Sequence, residues 1–145
     1  MFEQERYKYV LDYILQNCIV AYDELCTVNK KLNKGMCPDS DVDVNHLGAM
    51  DRMIKDYLII RVGGLFDKTT YPRKGEVDEV VSCEKILSTN ETYKSMGDKK
   101  IIKYIINKRH NFVAHTNKNF DVPKSSKICD SDLREILLKL KDLVS

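Results

Sequence analysis

At 145 residues, 43% hydrophobic and 32% charged, the chain suits one domain with one core and is too apolar for the disordered class. The net charge is only +2, but nine basic residues against two acidic ones fall between Lys94 and Lys127, a block that suits an anionic partner or a solvated lysine face. The five cysteines are odd in number, with no C-x-x-C pair, and the opening Met1-Phe2-Glu3-Gln4-Glu5-Arg6 has no apolar signal segment. Those features predict reduced thiols in a cytoplasmic protein, no zinc site and no membrane span.

Helix one is expected over Glu3–Asn33, because Val10, Ile14, Cys18, Ala21, Leu25, Val28 and Leu32 recur at gaps of three and four and trace one stripe. Gly35 and Pro38 stop it. The acids Asp39, Asp41 and Asp43 alternate as at the start of a calcium loop. However, Val44 stands where that loop needs glycine and Met50 where it needs glutamate, so calcium is excluded and the acids read as helix caps.

Helix two is expected from Val42 to Phe66, with Leu47, Met50, Ile54, Tyr57, Leu58, Val62, Leu65 and Phe66 facing the core. Gly63 and Gly64 lie near its end. Each costs about 1 kcal/mol relative to Ala, which points to a close helix approach or a bend. Arg61, among apolar neighbours, reads either as a buried ion pair or as a phosphate contact. His46 reads as structural.

After a connection through Pro72 and Gly75, helix three is expected over Glu76–Leu87. Its valines suit a strand, but no second β-rich segment is available to pair with it. Ser88-Thr89-Asn90-Glu91 offers a fresh N-cap and a short helical turn. Helix four is expected from Asp98, as N-cap, to Ala114, with Ile101, Ile102, Ile105, Ile106, Phe112 and Val113 in two apolar rows. The polar stretch from Thr116 to Ser126 reads as a loop. Helix five follows, capped by Asp130 or Ser131 and carrying Leu133, Ile136, Leu137, Leu140 and Leu143. The expected fold is therefore all-α: one domain spanning 1–145, an antiparallel bundle of four to five helices.

The chemistry concentrates in Arg109-His110-Asn111-Phe112-Val113-Ala114-His115. Histidine works as an acid or base near neutral pH, and arginine holds a phosphate through two donors. Together they suffice to cleave RNA without a metal or other cofactor. A base takes the proton from the ribose 2′-OH while arginine stabilises charge on the phosphoryl oxygens, which yields a 2′,3′-cyclic phosphate and a 5′-OH. Residues six apart differ by about 240° and about 9 Å on a straight helix, so Arg109 and His115 converge only at a distorted helix end or across a two-fold axis. Lys108, Lys118, Lys124 and Arg61 are the candidate RNA-backbone contacts. The competing readings are a helix-end cap for His115 and an ion pair with a neighbouring helix for Arg109.

Arg109 to His115 resembles the R-x(4–6)-H motif of the HEPN superfamily, with His110 as the polar residue after the arginine. The stretch Arg109–Thr116 is similar to the corresponding ending in the abortive-infection U branch. Leu65-Phe66-Asp67 resembles the L-F-D that closes the second helix there, and the order of elements agrees. The resemblance implies a helical bundle that dimerises through the motif-bearing helices. It also implies a metal-independent ribonuclease of a toxin–antitoxin or abortive-infection system, with an antitoxin protein as a further partner. Arg109 and His115 would be catalytic, with His110 or Asn111 assisting. Other HEPN proteins are inactive or bind nucleotides, so a non-catalytic nucleotide-binding or adaptor module is the alternative.

Overall fold

The computed structural model describes residues 3–33, 44–68, 81–110, 128 and 130–145. Within them lie six helices: α1 (Glu3–Asn33), α2 (Val44–Leu65), α3 (Glu84–Leu87), α4 (Glu91–Gly97), α5 (Lys100–Lys108) and α6 (Ser131–Val144). No strand occurs among the described residues, and the fold is an all-α bundle, as the sequence predicts. It has four substantial helices and two short ones. None of the described helices is long and apolar enough to cross a membrane.

Helix α1 is the spine and packs on both α2 and α6. Its polar contacts give the directions. Asp23 meets Arg134 at 2.9 Å and Gln16 meets Lys141 at 2.6 Å, so α6 runs antiparallel to α1. Asn29 meets Asp51 at 2.9 Å, whereas Cys18 lies in the field of Arg61, so α2 runs antiparallel as well.

The buried face of α1 differs from the expected stripe in its first three turns. Leu11 and Leu15 are fully buried, whereas Val10 and Ile14 are only half-buried. Cys18, Leu25 and Val28 are buried as predicted. The early turns carry apolar or aromatic residues all round, so two neighbouring stripes satisfy the same spacing. Packing chooses the one that Tyr7, Tyr22 and Leu25 extend. The core then gathers Leu58, Ile59, Val62 and Leu65 of α2, Ile101, Ile102 and Ile105 of α5, and Leu133, Leu137 and Leu140 of α6. Each such side chain contributes about 1.5–3 kcal/mol on burial.

Two expected helices are corrected. Residues 81–83 are not helical, and the third helix is a single turn from Glu84 to Leu87; the expected part over 76–80 lies outside the described residues. Ser82 is the physical reason. Its buried hydroxyl is shared between the carbonyls of Leu65 and Asp67 at 3.1 and 2.7 Å and accepts the Glu84 N–H at 3.1 Å. A serine bonded in this way caps a helix rather than continuing one. Asp98, expected to cap the fourth helix, instead ends α4, its N–H bonded to the Ser95 carbonyl at 3.2 Å. Lys99 is the extended residue before α5 and makes no side-chain cap. Asn90 and Asp130 do cap as expected, accepting the N–H groups of Tyr93 and Asp132.

Candidate functional site

The C-terminal end of α2 and the C-terminal end of α5 meet, and Arg109 is the point of contact. The α5 coil continues through Arg109 and His110 as a wider, π-type turn, a distortion often found at functional sites. The Arg109 N–H still bonds back to the carbonyls of Ile105 and Ile106.

Glycine makes the approach possible. A Cβ built on Gly63 would lie 2.6 Å from Cδ of Arg109, closer than real carbon contacts allow. The aliphatic stem of Arg109 therefore lies over the bare backbone of α2. Gly64, beside it, meets nothing within 4 Å. Of the close approach and the bend that a glycine pair predicts, the first holds, at Gly63.

The guanidinium reaches Asp67, with Nη1 3.5 Å from Oδ2. This ion pair joins two segments far apart in sequence: Leu65-Phe66-Asp67 and the start of the Arg109–His115 stretch. The Arg109 and Asp67 side chains keep 31% and 21% of their exposure. A part-exposed pair at that distance is worth about 0–1 kcal/mol. The arginine is thus oriented without being sealed off from solvent.

Behind the pair is a buried relay. The Tyr7 hydroxyl donates to the Ser82 carbonyl at 2.8 Å and accepts the Ser82 N–H at 2.7 Å. Ser82 in turn bonds the carbonyls of Leu65 and Asp67, and the Cys83 N–H bonds the Leu65 carbonyl at 2.8 Å. The backbone carrying Asp67 is fixed from three directions. Sequence reading passed over Ser82 and Tyr7; a lone serine in a valine-rich run carries no spacing signal.

The remaining candidates divide. His110 is exposed, next to Arg109. Lys108 is half-buried, its ammonium 5.6 Å from the centre of the Tyr104 ring. Arg61 is exposed and lies 5.8 Å from the Tyr57 ring centre, which overturns the buried-pair reading, because that face of α2 points away from the core. Asn111, His115, Lys118 and Lys124 lie outside the described residues.

The basic block begins with Lys94 on α4 and continues into α5. Lys99, Lys100 and Lys103 are exposed, and the first turn of α5 holds no acid. Cations at a helix N-terminus oppose the dipole by about 0.3–1 kcal/mol each. The stability of α5 therefore does not account for them.

A cleft of about 490 Å³, lined among others by Phe66 and Lys68 (the chain neighbours of Asp67), Glu84, Tyr93, Lys94, Asp98 and Ile106, opens on the same side of the bundle. Phe66 and Tyr93 stack with ring centres 5.3 Å apart. The Tyr93 hydroxyl donates to Glu84 at 2.8 Å; burial, then that bond, push its pKa well above the usual phenol range. The buried thiols are poor nucleophiles by comparison with an exposed cysteine: burial pushes Cys18 and Cys83 up to about 12. No family model, curated protein or solved structure matches this chain.

Proposed function

We propose that the chain is a metal-independent RNA endonuclease of a toxin–antitoxin or abortive-infection system. One observation carries the reading: the ion pair between Asp67 and Arg109 joins the two segments in which the chain resembles the HEPN superfamily. The glycine cradle and the part-exposed guanidinium give this region the means to hold a phosphate.

In this reaction a histidine base takes the 2′-OH proton, and the 2′-oxygen attacks phosphorus. The P–O5′ bond breaks, and the leaving oxygen gains a proton. Arg109 stabilises the charge on the phosphoryl oxygens. Asp67 orients the guanidinium, and phosphate displaces its weak hold when RNA binds. His115 is the acid–base group, assisted by His110 or Asn111, and Lys108, Lys118, Lys124 and Arg61 track the RNA backbone. A two-fold dimer through the Arg109-bearing helix brings two copies of the motif into one cleft, with an antitoxin protein as a further partner in the cytoplasm. No cofactor takes part.

The test is cleavage of total RNA in EDTA. Wild type yields 2′,3′-cyclic phosphate ends, and His115→Ala loses about 10²–10⁴-fold, the usual share of general acid–base catalysis. Cleavage that needs a divalent metal, or that survives His115→Ala undiminished, rejects the mechanism.

The pairing of Arg109 with Asp67 also favours a second reading, in which the arginine is a structural tie in a non-catalytic nucleotide-binding or adaptor module. Arg109→Lys separates the two. The nuclease reading predicts loss of cleavage at unchanged stability, since an ammonium keeps the charge and loses the two-point contact. The structural reading predicts a lower melting temperature in a chain that cleaves nothing.

A further inference from the structure

The cleft lined by the chain neighbours of Asp67 has no part in the cleavage chemistry, yet its walls are not those of a chance surface dent. Its volume of about 490 Å³ falls within the range of about 300–1,000 Å³ typical of small-ligand sites. Three of its residues are apolar or aromatic: Phe66 and Tyr93, stacked on each other and largely buried, form its floor, and Ile106, a large side chain left 41% exposed, stands open to solvent. Two carboxylates share the lining, Glu84 and Asp98, and two exposed lysines, Lys68 and Lys94, stand at the edge.

The cleft is also placed for a nucleotide next to the Arg109 phosphate site. Phe66 and Lys68 flank Asp67, the partner of Arg109. Ile106 lies one helical turn before Arg109, a step of about 4.5 Å along the axis.

We infer that this cleft is a base-binding subsite for single-stranded RNA, and that it selects guanine. A carboxylate accepts hydrogen bonds and donates none. Glu84 receives the Tyr93 hydroxyl on Oε2, and a carboxylate offers about four lone-pair sites, so acceptor capacity remains. Among the four RNA bases only guanine presents two adjacent donors, N1–H and the N2 amine, which match a carboxylate in parallel. Adenine and cytosine set one amine beside a ring acceptor. Uracil sets one N–H between two carbonyls that the carboxylate repels. The exposed Ile106 takes the face of the base, and Lys68 takes its phosphate together with Lys94, whose exposed pairing with Glu91 at 3.8 Å is weak. This subsite rests on the reading of Arg109 as a phosphate contact for its place along the strand, but not for its base preference.

The experiment is a titration of the full chain, in EDTA, with each of the four nucleoside 3′-monophosphates and with inorganic phosphate, followed by amide NMR. Guanosine 3′-monophosphate binds at least tenfold more tightly than the uridine analogue and moves the resonances of Glu84, Tyr93 and Gly97. Glu84→Gln removes that preference about tenfold, and Asp98→Asn, on an exposed residue, reduces it should Glu84→Gln fail to fold. Lys68→Ala weakens all four nucleotides by a similar factor. Equal affinity for the four, shifts confined to other parts of the chain, or the same shifts with phosphate alone overturn the subsite. A chain that binds guanosine selectively and cleaves no RNA keeps the subsite and loses the nuclease function. A chain that cleaves RNA without base preference does the reverse.

Discussion

The two ends of α2 each carry a charged pair, and the pairs differ in nearly every respect. Toward the N-terminal end, Lys55 and Asp51 meet at 2.9 Å with side chains only 6% and 12% exposed. Asn29 of α1 donates to the same carboxylate at 2.9 Å and to the Leu25 carbonyl. At the other end, Asp67 and Arg109 meet at 3.5 Å, more exposed, over a glycine rather than an asparagine. The first pair is short, dry and braced across helices, whereas the second is long, wet and replaceable. The pair lies within α2, and it is the Asn29 bond to Asp51 that sets α1 and α2 in register; the pair keeps that carboxylate in place, since either partner left alone is costly. A loose, part-exposed pair can give way to another anion at little cost.

The largest effect therefore falls at the closed end. Lys55→Ala leaves the Asp51 carboxylate buried without its cation, and the stability measured by urea unfolding drops by about 3–5 kcal/mol. A loss under 1 kcal/mol would remove the register argument and make the two ends alike.

Ser82→Ala comes next. It takes a bonding partner from the carbonyls of Leu65 and Asp67 and from the Glu84 N–H, at a cost of about 1–3 kcal/mol. Under the proposed nuclease function the same variant, in which Asp67 loses its anchor, also cuts RNA cleavage, whereas Lys55→Ala leaves the activity of its folded fraction intact. Measuring unfolding and cleavage on both variants sharpens the contrast. Equal activity per folded molecule would show that the relay only stabilises.

The glycine pair divides a smaller effect. Gly64→Ala meets nothing and gains about 1 kcal/mol of helix propensity, read as a higher melting temperature with cleavage unchanged. Gly63→Ala gains the same propensity but drives a methyl into Arg109 Cδ, so its stability stays nearly level and its cleavage falls. If the two variants behave alike, the cradle has no role.

The smallest change in stability is expected at the open end. Asp67→Asn alters urea stability by about 0–1 kcal/mol while changing the salt dependence of RNA binding, because the arginine has lost its competing anion. A loss comparable to Lys55→Ala would mean that the outer pair is as structural as the inner one.

Much of this architecture is legible in the sequence, for identifiable reasons. The bounds of α1, the Asn90 cap and the Asp130 cap each follow from local chemistry: a long run of good spacing, then a short polar residue ahead of an apolar one. The close approach at Gly63 is legible too, since a glycine inside a helix needs a reason. What stays hidden is decided between elements. The choice of Leu11 and Leu15 over Val10 and Ile14 depends on which neighbours arrive. The Asp98 carboxylate looks like a cap until α4 proves to end there. Ile59, fully buried, sits beside the predicted stripe of α2, and the buried-pair alternative for Arg61 falls only once that residue proves to be exposed. The Ser82 relay joins residues whose only link is the fold.

Tyr7 and Ser82 are 75 residues apart, and that separation bears on how the molecule comes together and comes apart. Helices α1 and α2 can pair as soon as a short connection closes, whereas the tyrosine finds its serine only after most of the chain has been positioned, with the entropy of a long loop to overcome. Contacts of this kind form late and open early. The turn that presents Asp67 then belongs to a unit that unlatches without melting the bundle, and its amides should exchange with deuterium faster than those of the α1–α2 pair. In such a molecule the position of Asp67 is set partly by a hydroxyl on the first turns of another helix.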